Sequence, residues 1–426
     1  MRNLTEKFKH IAAHGGIIVF FIMAFEVMIM ISPFAFFFYS VFNPVLHWFE
    51  RYSATSWLTV FFLPHMILPP TLLLRSVRVL GSVLFVLGFV TFVVCAAQVY
   101  LGKIFKLGIA DRGLYRVIRN PQYLALGIWG VGMSILWARF LVLASLSLMF
   151  VLYYFLAKDE EKRMQGQFGE EYRIYKDRTG MFLPRPIERG FENLFRSIGN
   201  RTLKYAVVSL CVPAVVIGAG FVLREITLNS LAYASSGNVT LLSILPEDNA
   251  PMQKALGNLF KEKNPQAGAA FLEPDKDYLG YVMPPDYVMQ GMIANTGEEF
   301  HLHKQHNTFA LITDWVLNPF EHLRRPPSAL MAKMHGMDPA VARRHHCPLA
   351  VHDPALTCDA CPYKRIVFLE VNQDGDGHPS RQDALSFNAR RIPVCYVDMN
   401  VNTGEIVGMK PVGKSTAWKD VPTPTI

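Results

Sequence analysis

The sequence predicts a multi-pass α-helical membrane protein, with five or six transmembrane helices followed by a C-terminal soluble α+β domain. Three observations lead there. Hydrophobic residues make up 51% of the 426, and the mean hydropathy of +0.22 is well above that of an ordinary soluble protein. Apolar stretches of the roughly 20 residues that a bilayer crossing requires all fall before residue 225. Charge divides at the same place: residues 1–224 hold 24 Lys and Arg against 12 Asp and Glu, whereas residues 225–426 hold 18 against 22. A basic, apolar half suits an anionic membrane surface, and a mildly acidic half suits water. The positive charge needs no nucleic acid to explain it.

The first apolar run, Gly16–Phe42, is too long for a cleavable signal peptide and no small-residue cleavage site follows it, so it reads as a retained anchor. Glu26 inside it faces a helix neighbour, water or a substrate. Trp57–Leu74 is apolar enough for a second span. Pro64, His65, Pro69 and Pro70 interrupt it, so a bent or re-entrant segment is the competing reading. Val79–Leu101 is an uninterrupted span. Gln122–Lys158 is long enough for a tight helical hairpin turning near Ala138–Arg139, and Tyr205–Leu223 is the last span.

Between these, Asp159–Arg178 is charged but carries Met164, Phe168, Tyr172 and Tyr175 near helical spacing, which predicts an interfacial amphipathic helix bent at Gly169. Lys103, Lys106, Arg112, Arg116 and Arg119 precede the hairpin, and Lys158, Lys162, Arg163, Arg173, Lys176, Arg178, Arg185 and Arg189 follow it. Both flanks are therefore expected in the cytoplasm, and the last span carries the chain outward. This predicts a protein of the bacterial inner membrane with residues 225–426 in the periplasm. A cytoplasmic N-terminus then requires that Trp57–Leu74 does not cross fully. The expected organisation is residues 1–78 for the N-terminal membrane helices, 79–190 for the membrane core, 191–224 for a linker and last helix, and 225–426 for the outer domain. Thr240–Leu245, Arg365–Val371 and Pro393–Met399 read as strands, and Asp248–Glu262 as a helix.

Two blocks around the hairpin carry the chemistry. Residues 113–132 read GLYRVIRNPQYLALGIWGVG, and residues 159–186 read DEEKRMQGQFGEEYRIYKDRTGMFLPRP. The first resembles the R-[HN]-P-x-Y element, and the second the Glu-Glu, Phe-Gly-x-x-Tyr-x-x-Tyr and terminal Pro element, of the isoprenylcysteine carboxyl methyltransferase and phospholipid methyltransferase group. The resemblance covers about residues 79–186. It implies an S-adenosylmethionine-dependent methyltransferase acting on a lipid-like or prenylated acceptor, a carboxylate or an amine, at the cytoplasmic membrane face. The C-terminal half carries no comparable resemblance.

On that resemblance Arg119, Glu160 and Glu161 take catalytic roles, while Asn120, Pro121, Gln122, Tyr123, Leu124, Gly130, Gly132 and Tyr172 contact the cofactor, with Tyr175 in support. The physical logic is consistent with this. Pro121 opens a helix whose next amides, at Gln122, Tyr123 and Leu124, point toward an anion such as the cofactor carboxylate. Glu160 and Glu161, returned to the same membrane face by the second helix of the hairpin, can accept from its ammonium or ribose hydroxyls. Many relatives carry His where this chain has Asn120, so an imidazole base at that position is excluded. Transfer to an already ionised carboxylate needs mainly alignment and desolvation, whereas an amine must lose a proton, with Glu160 or Glu161 nearest to take it. Gly127, Gly130 and Gly132 are first of all packing positions.

Two other functional classes remain. Membrane sterol reductases share an Arg-x-Pro-x-Tyr element but would use NADPH, and a non-enzymatic sensor or assembly factor would use the membrane part as a scaffold for an outer domain that binds metal or a protein partner. In that domain Asn372, Asp374, Asp376, His378, Ser380 and Asp383, with Gly377 at the sixth position, have the spacing of an EF-hand calcium loop. Asn in place of Asp at the first position, Pro379 at the eighth and Asp383 in place of Glu at the twelfth depart from it, and a metal-free Asp/Gly turn is the competing reading. His345, His346, Cys347, His352, Cys358 and Cys361 suit zinc or, in an oxidising compartment, disulfides in which Cys395 could join. Pro362 after the Cys-x-x-Cys removes the covalent haem pattern.

Overall fold

The computed structural model describes Pro33 and residues 46–64, 71–105, 108–194, 199–259, 271–283, 363–372, 385–387 and 389–412. Its helices are α1 Leu46–Glu50, α2 Ser53–Ser56, α3 Leu72–Ile104, α4 Pro121–Leu136, α5 Phe140–Arg178, α6 Arg185–Leu194, α7 Arg201–Ser230 and α8 Asn249–Leu259. The strands are β1 Ala232–Ser236, β2 Val239–Ser243, β3 Asp277–Met283, β4 Tyr363–Asn372, β5 Arg390–Asn400 and β6 Ile406–Pro411. The chain divides into two compact units, one containing residues 84–134 and 142–217, the other residues 42–83, 135–141 and 218–426.

Among the described residues three helices are long and apolar enough to cross a membrane: Leu72–Ile104, Phe140–Arg178 and Thr202–Ser230. This is a helical membrane protein with a sheet-containing C-terminal region. The expected span at Gly16–Phe42 lies outside the described residues. Of Trp57–Leu74, residues 57–64 and 71–74 are described: a 3-10 turn at Trp57–Thr59 leads into irregular chain bridged at Phe61, and α3 begins at Leu72. Edge pairing gives the reason: Phe62 N donates to Ala138 O at 2.8 Å and Phe140 N to Val60 O at 3.0 Å. Those bonds satisfy backbone groups that a helix would otherwise pair internally. The hairpin turns at residues 137–139, where the sequence places it, although α4, at 16 residues, is only about 24 Å long.

Helix boundaries follow from capping chemistry. Asn200 Oδ1 accepts from the backbone amides of Thr202 at 2.9 Å and Leu203 at 3.3 Å, closing the open N-terminus of α7. Inside α5, Gly169 adopts φ 52°, a left-handed conformation that bends the helix at the glycine. Packing in the membrane core uses glycine differently. A Cβ on Gly88 of α3 would lie 2.4 Å from Trp129 N of α4, and one on Gly127 would lie 2.9 Å from Phe150 of α5. Backbones approach so closely there that the missing side chain is the packing device.

The C-terminal region is built on one six-stranded sheet in the order β1-β2-β3-β4-β5-β6, antiparallel throughout except for β2 and β3. A parallel pair needs a crossover, and α8 lies in it. Met252, Ala255, Leu256 and Leu259 of α8 are all buried, a helical i, i+3, i+4, i+7 stripe. They pack on every second residue of the strands, including Val239, Leu241, Ile366, Phe368, Cys395 and Val397. The opposite sheet face carries Arg365, whose guanidinium meets Asp398 through two bonds of 2.7 and 2.8 Å and stacks 4.0 Å from the Tyr396 ring. Cys395 is a fully buried thiol of the core, and among the described residues it joins no disulfide and no metal-binding group.

Candidate active site

The Arg-Asn-Pro segment enters α4 through a short backbone ladder with the chain that follows α5. Gly180 N donates to Val117 O at 3.1 Å, Arg119 N to Gly180 O at 2.8 Å, and Asn120 N to Met181 O at 3.1 Å. Ile118 and Gly180 thus form a parallel bridge. Gly180 is required by sterics, because a Cβ would fall 1.7 Å from Leu183 O. The next amide, Met181 N, donates to both carboxylate oxygens of Glu188 on α6, at 2.9 and 2.8 Å.

Side chains lock the same junction. Arg119 Nε donates to Glu161 Oε1 at 2.7 Å, with side-chain exposures of 5% and 3%. The other end of the guanidinium, Nη1, donates to Lys176 O at 2.9 Å and to Thr179 O. Lys176 Nζ stands 3.2 Å from the second Glu161 oxygen, so that carboxylate sits between two cations. Asn120 Nδ2 donates to Met181 O at 3.3 Å. Tyr175 donates its hydroxyl to Tyr115 O at 2.7 Å, and burial pushes the Tyr115 phenol well above the ordinary tyrosine range. Arg119, Asn120 and Glu161 therefore hold the site together, each engaged with protein groups.

The groups facing the other way are different. Glu160 is only half-buried, and its carboxylate bonds the Tyr123 side chain on the first turn of α4. Gln122 bonds the Tyr115 side chain. The Tyr123 ring lies 5.2 Å from that of Tyr153, whose hydroxyl is buried with no hydrogen-bond partner among the described residues. Tyr172 is buried beside Tyr175, ring centroids 5.8 Å apart, within the electrostatic reach of both Glu160 and Glu161. Pro121 and Tyr123 are buried and Leu124 is half-buried.

The structure thus brings Arg119 to Leu124, Glu160, Glu161 and Tyr172 to one end of the hairpin. It takes Gly130 elsewhere, since its missing Cβ faces Leu146 and Met149 at 2.8 Å, between helices α4 and α5. Gly132 is likewise buried within α4. Sequence reasoning missed Tyr153, Thr179 and Glu188, and it read Lys176 only as part of the basic flank, not as a partner of Glu161. Tyr153 was findable: it precedes Glu160 by two helical turns on the same face of α5. The calcium-loop residues Asp374, Asp376, His378, Ser380 and Asp383 lie outside the described residues, as do Cys347, Cys358 and Cys361; Asn372 ends β4. Among the described residues no group of three or more His, Cys, Asp or Glu could hold a metal ion.

Searches among curated proteins and among solved structures find no match to the chain. Residues 76–171, which include Arg119 to Leu124, Tyr153, Glu160 and Glu161, do match the family model of the phospholipid methyltransferases, which supports membrane methyl transfer in general.

Proposed function

We propose that this segment transfers a methyl group from S-adenosylmethionine to a lipid-like or prenylated acceptor that reaches it from the bilayer at the cytoplasmic face. The observation that carries the reading is the cluster of Glu160, Tyr123 and the unpartnered Tyr153 hydroxyl at the N-terminus of α4. A buried hydroxyl without a partner is costly, and a bound polar ligand removes the cost.

The residues fit the cofactor's chemistry, which is to offer an electrophilic methyl on a sulfonium. The first-turn amides of α4, at Gln122 and Tyr123, have no acceptor within the helix and suit a carboxylate. Half-buried Glu160 suits the ammonium or the ribose hydroxyls. Tyr123, Tyr153 and Tyr172 supply aromatic faces and hydroxyls around them. Arg119, Glu161 and Asn120 act one step back, fixing the angle at which α4 meets the residues after α5. Asn120 has no role as a base, so an amine acceptor would lose its proton to Glu160, while a carboxylate acceptor needs only orientation and exclusion of water.

On the same reading residues 225–426 face the periplasm of a bacterial inner membrane. The direct test is ligand binding by the full-length protein in detergent, measured by calorimetry. Micromolar affinity for S-adenosylmethionine that falls at least tenfold in Glu160→Gln and Tyr123→Ala, with folding intact, supports the reading. NADPH binding in its place sinks it.

A further inference from the structure

Past the residues that match the family model, α6 is amphipathic with its polarity turned the wrong way for a surface in water. Ile187, Phe191 and Leu194 take i, i+4 and i+7 positions on one face, and Arg185, Glu188, Arg189 and Glu192 share the other. Part of the polar face points inward. Glu188 accepts the Met181 N–H on both carboxylate oxygens, at 2.9 and 2.8 Å, and Arg185 Nη1 stands 3.5 Å from that carboxylate. The Arg185 and Glu188 side chains are 27% and 18% exposed, whereas Ile187, on the apolar face, is 52% exposed.

A lone exposed isoleucine is ordinary, so its surroundings decide what covers it. The apolar helix Thr202–Ser230, long enough to cross a membrane, begins shortly after α6 ends, and Leu203 in its first turn is exposed as well. Residues 185–204 hold five Lys and Arg against two Glu, one of which, Glu188, is already engaged with Met181. An apolar face turned outward, a basic surround and a membrane span at one end suit the headgroup boundary of a bilayer that contains anionic lipid.

The inner face of α6 meets the turn that opens α4. The planar Gly180–Met181 peptide is held from both sides: Glu188 takes its N–H, and its carbonyl accepts from Arg119 N at 2.8 Å. The next carbonyl, Met181 O, accepts from Asn120 N at 3.1 Å and Asn120 Nδ2 at 3.3 Å. Only Pro121 separates these residues from the amides offered to the cofactor. We propose that α6 is an interfacial helix with its Ile187 face in the anionic bilayer surface, and that Glu188 is a positioning residue transmitting that seating to the cofactor turn. The seating stands on α6 alone; the transmission rests on the S-adenosylmethionine reading.

The test uses full-length protein in nanodiscs of phosphatidylcholine with or without phosphatidylglycerol. Bimane on Ile187→Cys, with protein lacking that cysteine as the blank, should be quenched by doxyl lipid and shielded from iodide. Iodide access overturns the seating, as does shielding without doxyl quenching, the result that a second copy or another protein on this face would give. S-adenosylmethionine affinity is then measured in the same discs. Wild type should bind about threefold more tightly with phosphatidylglycerol present, and Ile187→Glu and Glu188→Ala should lose that difference and bind about tenfold more weakly. Should Glu188→Ala fail to fold, Ile187→Glu, which alters an exposed side chain, reads the same link. Folded variants that keep the wild-type affinity and its lipid dependence overturn the transmission. A wild type that binds no S-adenosylmethionine overturns the methyltransferase reading and the transmission with it, while the bimane result decides the seating by itself.

Discussion

The Arg119 guanidinium and the Glu161 carboxylate meet at 2.7 Å in a pair that is almost wholly out of water. Breaking such a pair by neutralising one partner leaves the other buried without its countercharge, a cost of about 3–5 kcal/mol. Arg119 also holds Lys176 O and Thr179 O, so the cost spreads to the junction between α5 and α4. Glu161→Gln is therefore expected to lower Tm in detergent by many degrees and to lose S-adenosylmethionine binding along with the fold.

Glu160→Gln should behave in the opposite way. Its side chain is half-buried and its interactions with Tyr123 and its neighbours leave it facing the proposed ligand. The expected outcome is a Tm within about a degree or two of wild type, as for substitutions that leave the core intact, with affinity for S-adenosylmethionine reduced tenfold or more. Equal loss of stability in the two variants would show that both glutamates are structural.

Glycine substitutions separate packing from ligand contact. Alanine at Gly88 would place a methyl 2.4 Å from Trp129 N, and backbone cannot move aside cheaply. At Gly130 the neighbours are the far ends of Leu146 and Met149, which can rotate. Overpacking of the first kind typically costs about 1–3 kcal/mol. Gly88→Ala should therefore destabilise clearly, and Gly130→Ala should fold and keep its S-adenosylmethionine affinity. A selective loss of affinity in Gly130→Ala would restore that glycine to the cofactor site.

What the sequence shows plainly is what depends on local pattern. One arginine within an apolar run marks the hairpin turn at Ala138–Arg139, Gly169 marks the bend in α5, and alternation marks β4 and β5. The pairing of Arg119 and Asn120 with Gly180 and Met181 is invisible to that kind of reading, because it joins backbone groups about 60 residues apart. The division of labour between adjacent glutamates is equally hidden. Glu160 and Glu161 differ only by the 100° of helix rotation that turns one toward Arg119 and the other toward Tyr123. Trp57–Leu74 is legible as an interrupted segment from its prolines, but the pairing of Val60 and Phe62 with the hairpin turn is not, because it joins backbone groups about 80 residues apart.

Orientation yields an expected outcome for reporters fused to the C-terminus of the full chain. On the proposed orientation the basic residues on both sides of the hairpin face the cytoplasm and the sheet region faces outward. Alkaline phosphatase at the C-terminus should then be active and green fluorescent protein dark. The reverse pattern would move the sheet region to the cytoplasmic side.

The last prediction concerns alkaline stability of the sheet region. Cys395 is fully buried in the core against α8, and burial pushes its thiol from an ordinary 9.0 up to about 12. The unfolded chain ionises this thiol near the ordinary value while the folded chain keeps it protonated. Between those two values the folded state binds more protons, so stability falls as pH rises. The contribution is whole below about 9 and is lost progressively toward about 12, at no more than about 1.4 kcal/mol per pH unit. Denaturant unfolding of the full chain followed by a sheet-region probe at pH 8 and pH 10.5 should show this slope, and Cys395→Ala should flatten it even though the smaller side chain lowers stability at pH 8. Wild-type protein should also resist a thiol reagent at Cys395 until it unfolds, and rapid labelling of the folded chain would contradict a sealed core position.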